Sequence, residues 1–229
     1  MILFRILRWI IYLTVIILIL LATIKLYEKH KVQNALKDYK TKVVTLTFDD
    51  GPVPATKDII DMLDSVGVKA TFFALGDETS RRPEILRYAY DHGHAIGNHS
   101  WSHPHVLGFR NRDYIERQID KAEDAIKSAT NAEVTFFRTP FGESSPYLNW
   151  ILAGKGMIGV HWTLALRDWR KDSSKEQIAD LFAHIEKSEV VLLHDRVYAD
   201  PEKLETLKQS ILDLKARGFR FITVPELYQ

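Results

Sequence analysis

The stretch Val43-Val44-Thr45-Leu46-Thr47-Phe48-Asp49-Asp50-Gly51 is an apolar run that ends on two adjacent carboxylates and a glycine. Such a run reads as a buried strand bounded by a turn signal. Two neighbouring carboxylates at a strand end repel each other and are tolerable mainly where a cation neutralises them. A lone Asp-Asp-Gly is more often an ordinary turn, so the rest of the chain has to decide.

Outward from this stretch the same pattern recurs. Short apolar runs at residues 43–48, 70–74, 95–97, 134–138, 158–162, 190–194 and 219–224 read as strands. Amphipathic segments at 56–66, 83–92, 112–129, 145–155, 174–187 and 201–217 read as helices. In the third of these, Ile115, Ile119, Ala122 and Ile126 fall three or four apart and make one apolar stripe. Gly67, Gly93 and Gly218 follow helical patterns where C-terminal caps belong. Strand–helix alternation predicts a parallel sheet with helical crossovers, open or closed into a barrel.

In α/β folds of this kind, functional groups collect where strands end. The third strand runs into His99-Ser100-Trp101-Ser102-His103. Two histidines four apart share one face of a helical turn, a spacing suited to two ligands on one metal, although alone it is more often coincidence. An Asp joined to two His gives an open three-ligand site of the catalytic type. The fourth strand delivers Arg138-Thr139-Pro140-Phe141-Gly142, with an Arg able to hold a carboxylate in a bidentate grip. The fifth leads to Arg167-Asp168-Trp169. The sixth is Val190-Val191-Leu192-Leu193-His194-Asp195, where alternation puts Leu192 and His194 on one face. A lone terminal His is usually structural; here it is one of five coincident signals.

Taken in order, TFDDG, HSWSH, RTPFG, RDW and LLHD resemble the five motifs of the polysaccharide deacetylase family, the NodB-homology or carbohydrate esterase 4 group. The resemblance spans residues 42–229 and includes the GHAIGNH lead-in to the two histidines. It implies a distorted (β/α) barrel that hydrolyses N-acetyl groups from the amino sugars of peptidoglycan or a chitin-like polymer. It implies Asp50, His99 and His103 as ligands of a divalent metal, zinc first, with cobalt or nickel as alternatives. Asp49 would be the general base, Arg138 its orienting partner, and the backbone N–H of Phe141 an oxyanion donor. His194 would be the general acid, tuned by Asp168, while Trp169 and Leu192 line the acetyl pocket. Phe141 stands where the family often has Tyr, a departure that leaves a backbone donor untouched. A non-catalytic carbohydrate-binding relative would lack one of these polar residues. A hydrolase of another C–N bond, such as that of a lipid-linked formylated sugar, would keep them.

Composition adds exclusions. The 229 residues carry 31 basic and 30 acidic side chains, which gives no electrostatic reason to expect nucleic acid. The absence of Cys excludes disulfides, thiolate metal sites and cysteine nucleophiles. No obligate protein partner is implied. Residues 9–24, WIIYLTVIILILLATI, are uncharged. Extended to Leu26 they make about eighteen residues, or roughly 27 Å of helix, close to the hydrocarbon thickness of a bilayer. No polar face exists at a helical period, which argues against a core helix. Ala22-Thr23-Ile24 supplies no A-x-A cleavage site, which favours an uncleaved anchor over a removed signal peptide. The expected division is a membrane anchor at 1–27, a charged juxtamembrane stalk at 28–41 and a catalytic domain at 42–229. Arg5 and Arg8 on one flank nearly balance Lys25, Lys29 and Lys31 on the other, so charge leaves orientation open. The implied wall substrate places the catalytic domain outside the cytoplasm.

Overall fold

A computed structural model describes residues 2–170 and 172–229, except the side chains of Ile2, Leu3 and Lys25. The chain order is α1 (Ile2–Lys37), β1 (Val43–Asp49), α2 (Pro54–Ser65), β2 (Thr71–Ala74), α3 (Gly76–Arg81), α4 (Pro83–Asp91), β3 (Ala95–Asn98) and α5 (Arg112–Thr130). It continues with β4 (Phe136–Phe137), α6 (Pro146–Gly154), β5 (Ile158–Gly159), β6 (Leu164–Ala165), α7 (Lys175–Ala183), β7 (Glu189–His194), α8 (Pro201–Ala216), β8 (Arg220–Phe221) and α9 (Val224–Leu227). The strands run parallel in the order β5-β4-β3-β2-β1-β7-β6, with β8 also paired to the start of β1. The sheet curls into the distorted α/β barrel that the motifs implied.

Local chemistry explains the elements. All seven residues of β1 are buried, as a strand covered on both faces must be. Val44, Leu46 and Phe48 join the core beneath the helices, while Thr47 and Asp49 face inward. The α5 stripe of Ile115, Ile119, Ala122 and Ile126 is fully covered. Asn111 caps that helix by accepting from the Tyr114 N–H, and Asn131 ends it in a left-handed turn. Gly67, Gly93 and Gly218 have φ of 62°, 78° and 84°, the conformation that stops a helix.

Three expectations need correction. The predicted strand at 158–162 breaks after Gly159, and a separate short strand, β6, leads to Arg167, Asp168 and Trp169. The His99–His103 segment is not a helical turn: Ser100 and His103 take positive φ, and the histidines converge through an irregular loop. The predicted strand at 219–224 stops at Phe221, and Val224 opens α9.

Residues 28–37, expected as a charged stalk, are helical and continuous with the apolar segment. The helix is long and apolar enough to cross a membrane from Phe4 onward. Its last third is not free. Val32 and Leu36 pack against Val43, Val190, Ile222 and Leu227. Glu28, only 2% exposed, accepts from the Asn149 amide at 2.5 Å and lies 4.0 Å from His161.

Candidate active site

Asp49 and His194 are register partners on adjacent strands β1 and β7, so one mouth of the barrel receives both. A pocket of about 280 Å³ opens there. Asp49, Asp50, His99, His103, Phe141, Trp169, Leu192 and His194, all singled out from sequence, line it together with Thr139 and Trp162. Arg138 and Asp168 stand behind this wall, each gripping a residue that forms it. Trp162, which the sequence reading did not single out, lies in the irregular segment that follows β5.

On one side, His99 Nε2 and His103 Nε2 lie 3.6 and 3.5 Å from the same oxygen, Asp50 Oδ1. Ligand atoms of these three residues fall within 4.8 Å of one another. Asp50 Oδ1 is buried and has no hydrogen-bond partner, a costly condition for a carboxylate unless a cation completes it. His99 Nδ1 meets the Arg138 carbonyl at 2.7 Å; a carbonyl only accepts, so Nδ1 carries the proton and Nε2 presents its lone pair to the site. Burial, opposed by the Asp50 charge, pulls the His99 pKa down to about 3, which keeps the ring neutral. These residues fit a divalent metal.

Backbone strain gathers at the same place. Among the described residues, seven other than glycine have positive φ, and five of them stand in the motifs: Asp50, Ser100, His103, Phe141 and Arg167. Such conformations cost of order 1–3 kcal/mol each and persist where surrounding structure imposes them. Gly51 is required by proximity, because a Cβ there would lie 2.2 Å from Asp195 Oδ2. Asp195, left out of the sequence-based site, is fully buried and bonded to the Thr56 hydroxyl. Burial, with Asp50 and Asp49 nearby, pushes its pKa up to about 7 despite that bond.

Arg138 is 1% exposed and bonds Asp49 Oδ1 through Nη1 at 2.9 Å. The expected bidentate grip is not what forms. The same Nη1 also reaches the Thr47 hydroxyl at 2.6 Å, and Nε donates to the Val160 carbonyl at 3.2 Å. The guanidinium is spread over several acceptors because a buried cation must satisfy all its donors. It also lies 4.1 Å from the Phe73 ring centroid.

Across the pocket, His194 Nδ1 donates to Asp168 Oδ1 at 2.7 Å, and the His194 backbone N–H donates to Oδ2 at 2.8 Å. Both carboxylate oxygens are thus committed to one residue. Burial pulls the His194 pKa down, but the Asp168 bond and charge, aided by Asp49 and Asp50, outweigh it and leave it raised. Trp169 packs edge-on to that ring at 5.0 Å between centroids. Phe141 is half-exposed and stacks on His105. His92 and His94 lie at the opposite end of the strands: His94 accepts from the Ala70 N–H, and both rings approach Asp64.

Comparison with known proteins agrees with this fold. The polysaccharide deacetylase family model matches residues 36–160, more than half the chain, and ends before Asp168, Trp169, Leu192 and His194. A peptidoglycan-N-acetylglucosamine deacetylase of Bacillus cereus is 34% identical over 194 residues, covering 83% of this chain and 70% of the relative. A chitooligosaccharide deacetylase of Sinorhizobium fredii is 32% identical over 195 residues, covering 80% and 90%. Among solved structures, a Bacillus anthracis protein described as a pseudoenzyme of carbohydrate esterase family 4 superposes with a TM-score of 0.75 at 26% identity, over 83% of this chain and 66% of that one. With the matched profile, these relatives and the curled parallel sheet in agreement, the chain belongs to the polysaccharide deacetylase family.

Proposed function

We propose that this chain is a metal-dependent N-deacetylase, hydrolysing the acetamide of N-acetylated amino sugars in a peptidoglycan or chitin-like glycan. A pseudoenzyme with the same fold shows that fold alone does not carry activity, so the reading rests on the site. The observation that carries it is the unpartnered Asp50 Oδ1 between two histidine nitrogens, facing a histidine held by its own carboxylate.

Asp50, His99 and His103 would hold the metal, with zinc fitting a two-His, one-carboxylate set and cobalt or nickel as substitutes. When bound, the metal supplies Lewis acidity to the attacking water and the acetyl oxygen. Asp49, fixed by Arg138, accepts the proton of that water as it attacks the carbonyl carbon. The backbone N–H of Phe141 donates to the oxygen that becomes negative. His194, kept protonated by Asp168, delivers a proton to the sugar nitrogen as the C–N bond breaks, releasing acetate and a free amine. Leu192 and Trp169 form the apolar wall for the methyl group.

Residues 42–229 form the catalytic unit in this reading, α1 anchors it in a membrane, and a cell-wall substrate places the unit on the extracytoplasmic side. Mass spectrometry of muropeptides and chito-oligosaccharides after incubation with the protein tests the activity. Loss of acetyl from either supports it and names the polymer; no loss from both overturns it. Protease added to intact spheroplasts tests the side: digestion without lysis supports it, and digestion only after lysis refutes it.

A further inference from the structure

The direction in which α1 leaves the barrel bears on what the site meets. At the base of the strands, Gln33, Leu36 and Lys37 lie beside Lys187, Ser188 and Glu189, where β7 begins. At the mouth, Lys29 shares a small cleft with Phe141, Gly142, His161 and Trp162. The helix therefore climbs the barrel from base to mouth as it is followed toward its N-terminus. From Glu28 to Leu36 it rises about 12 Å, comparable to most of a strand. Beyond Lys29 the same unbroken helix projects past the catalytic mouth and becomes the apolar segment, exposed from Phe4 to Leu20.

The apolar run ends at Leu26, three residues or about 4.5 Å of helix from Lys29. The interfacial layer of a bilayer is roughly 5–8 Å deep on each side of the hydrocarbon. Two of the residues around Lys29, Phe141 and Trp162, also line the catalytic pocket. A second observation is independent of the helix. Phe109, Phe141, Tyr147, Trp150 and Trp169 are all exposed, and all come from segments that follow the C-terminal ends of strands. Tyr147 and Trp150 stack on each other on α6, beside the Asn149 that holds Glu28. Arg112 lies over the Trp150 ring. Exposed aromatics with neighbouring Arg and Lys are the composition of a surface that rests at lipid headgroups.

We infer that α1, seated in the barrel through Glu28, Val32 and Leu36, holds the catalytic mouth against the lipid surface, so that the site takes amino sugars presented at the membrane rather than glycan far from it. This rests on α1 lying in a bilayer and on the pocket being the hydrolytic site. The helix cannot swivel as a loose tether would, because Glu28 is bonded only two residues beyond the apolar run. The substrate class is an N-acetylated sugar carried at the headgroup level.

The chain has no Cys, so single cysteines can be labelled uniquely. Full-length protein in lipid nanodiscs is labelled with a donor at F109C, Y147C or E186C, with an energy-transfer acceptor on the lipid headgroups. Phe109 and Tyr147 stand at the mouth and Glu186 at the base, about 20 Å away along six strand residues. Strong transfer at the two mouth positions and weak transfer from Glu186 are expected. A flexible ten-residue insertion between Leu26 and Tyr27 leaves the seat intact and should equalise the three. It should also reduce turnover of an N-acetylglucosamine lipid in the same nanodisc severalfold, with soluble chito-oligosaccharide turnover unchanged. Equal transfer from all three positions in the uninserted chain, or stronger transfer from Glu186, overturns the inference. An asymmetry that survives the insertion overturns the role of the seat. Because depth is read without activity, a docked mouth with no deacetylation of any substrate would instead refute the enzymatic reading.

Discussion

The two walls of the pocket are built in opposite ways. The wall of Asp50, His99 and His103 is irregular, with positive φ at Asp50, Ser100 and His103 and a buried oxygen left without a partner. The wall of His194 is a regular strand, and both oxygens of its supporting Asp168 are bonded. An unsatisfied buried carboxylate oxygen calls for a cation, whereas a satisfied carboxylate–histidine pair holds a proton in place. Asp49 lies between them, 3.6 Å from His99 Nε2 and bonded to Arg138. In the function proposed above, this difference divides the labour: one wall for the metal, one for the proton, and Asp49 serving the chemistry between them.

Removing the cation should produce the largest effect. Chelation abolishes turnover and zinc or cobalt restores it; full activity in a verified metal-free preparation would erase the distinction between the walls. Next is Asp49→Asn, which keeps an acceptor for the buried Arg138 and loses the base. A fall of roughly 10²–10⁴-fold in kcat, with metal retained, is expected. The proton wall is tested by pH. The raised pKa of His194 keeps the acid protonated above the range of an ordinary histidine, and kcat/KM then falls as pH rises through it. Asp168→Asn should move that alkaline limb to lower pH, and His194→Gln should remove it. An unchanged limb in His194→Gln would disprove the general-acid role. The smallest effect on chemistry belongs to the α1 seat. Leu36→Ala should cost about 2–5 kcal/mol of stability with little change in kcat, measured by denaturant unfolding. A chain beginning at Asp38 should be less stable than one beginning at Leu26, because it uncovers Val43 and Val190.

Most of the sheet was legible because its strands are apolar runs punctuated by polar residues, as at Phe48-Asp49-Asp50. The gathering of Asp50, His99, His103, Phe141, Trp169, Leu192 and His194 around one pocket follows from that punctuation, since parallel strands end on one face. What escaped the sequence was set by tertiary contact. The short strand at Leu164–Ala165 has only two residues and is defined by pairing with β7. The convergence of His99 and His103 uses strained backbone, which spacing does not encode. Glu28, Val32 and Leu36 looked like part of a charged stalk because their stripe is weak against the lysines around it. Burial against Val43 and Val190, far away in the chain, is what reveals it.

The central claim, that one wall binds metal and Asp49 does chemistry, is tested most directly by metal content in three proteins measured side by side. Wild type and Asp49→Asn should each carry close to one equivalent of zinc after dialysis, while His103→Ala carries far less. Equal loss of zinc in Asp49→Asn and His103→Ala would contradict the account, because Asp49 would then be a ligand and not the base.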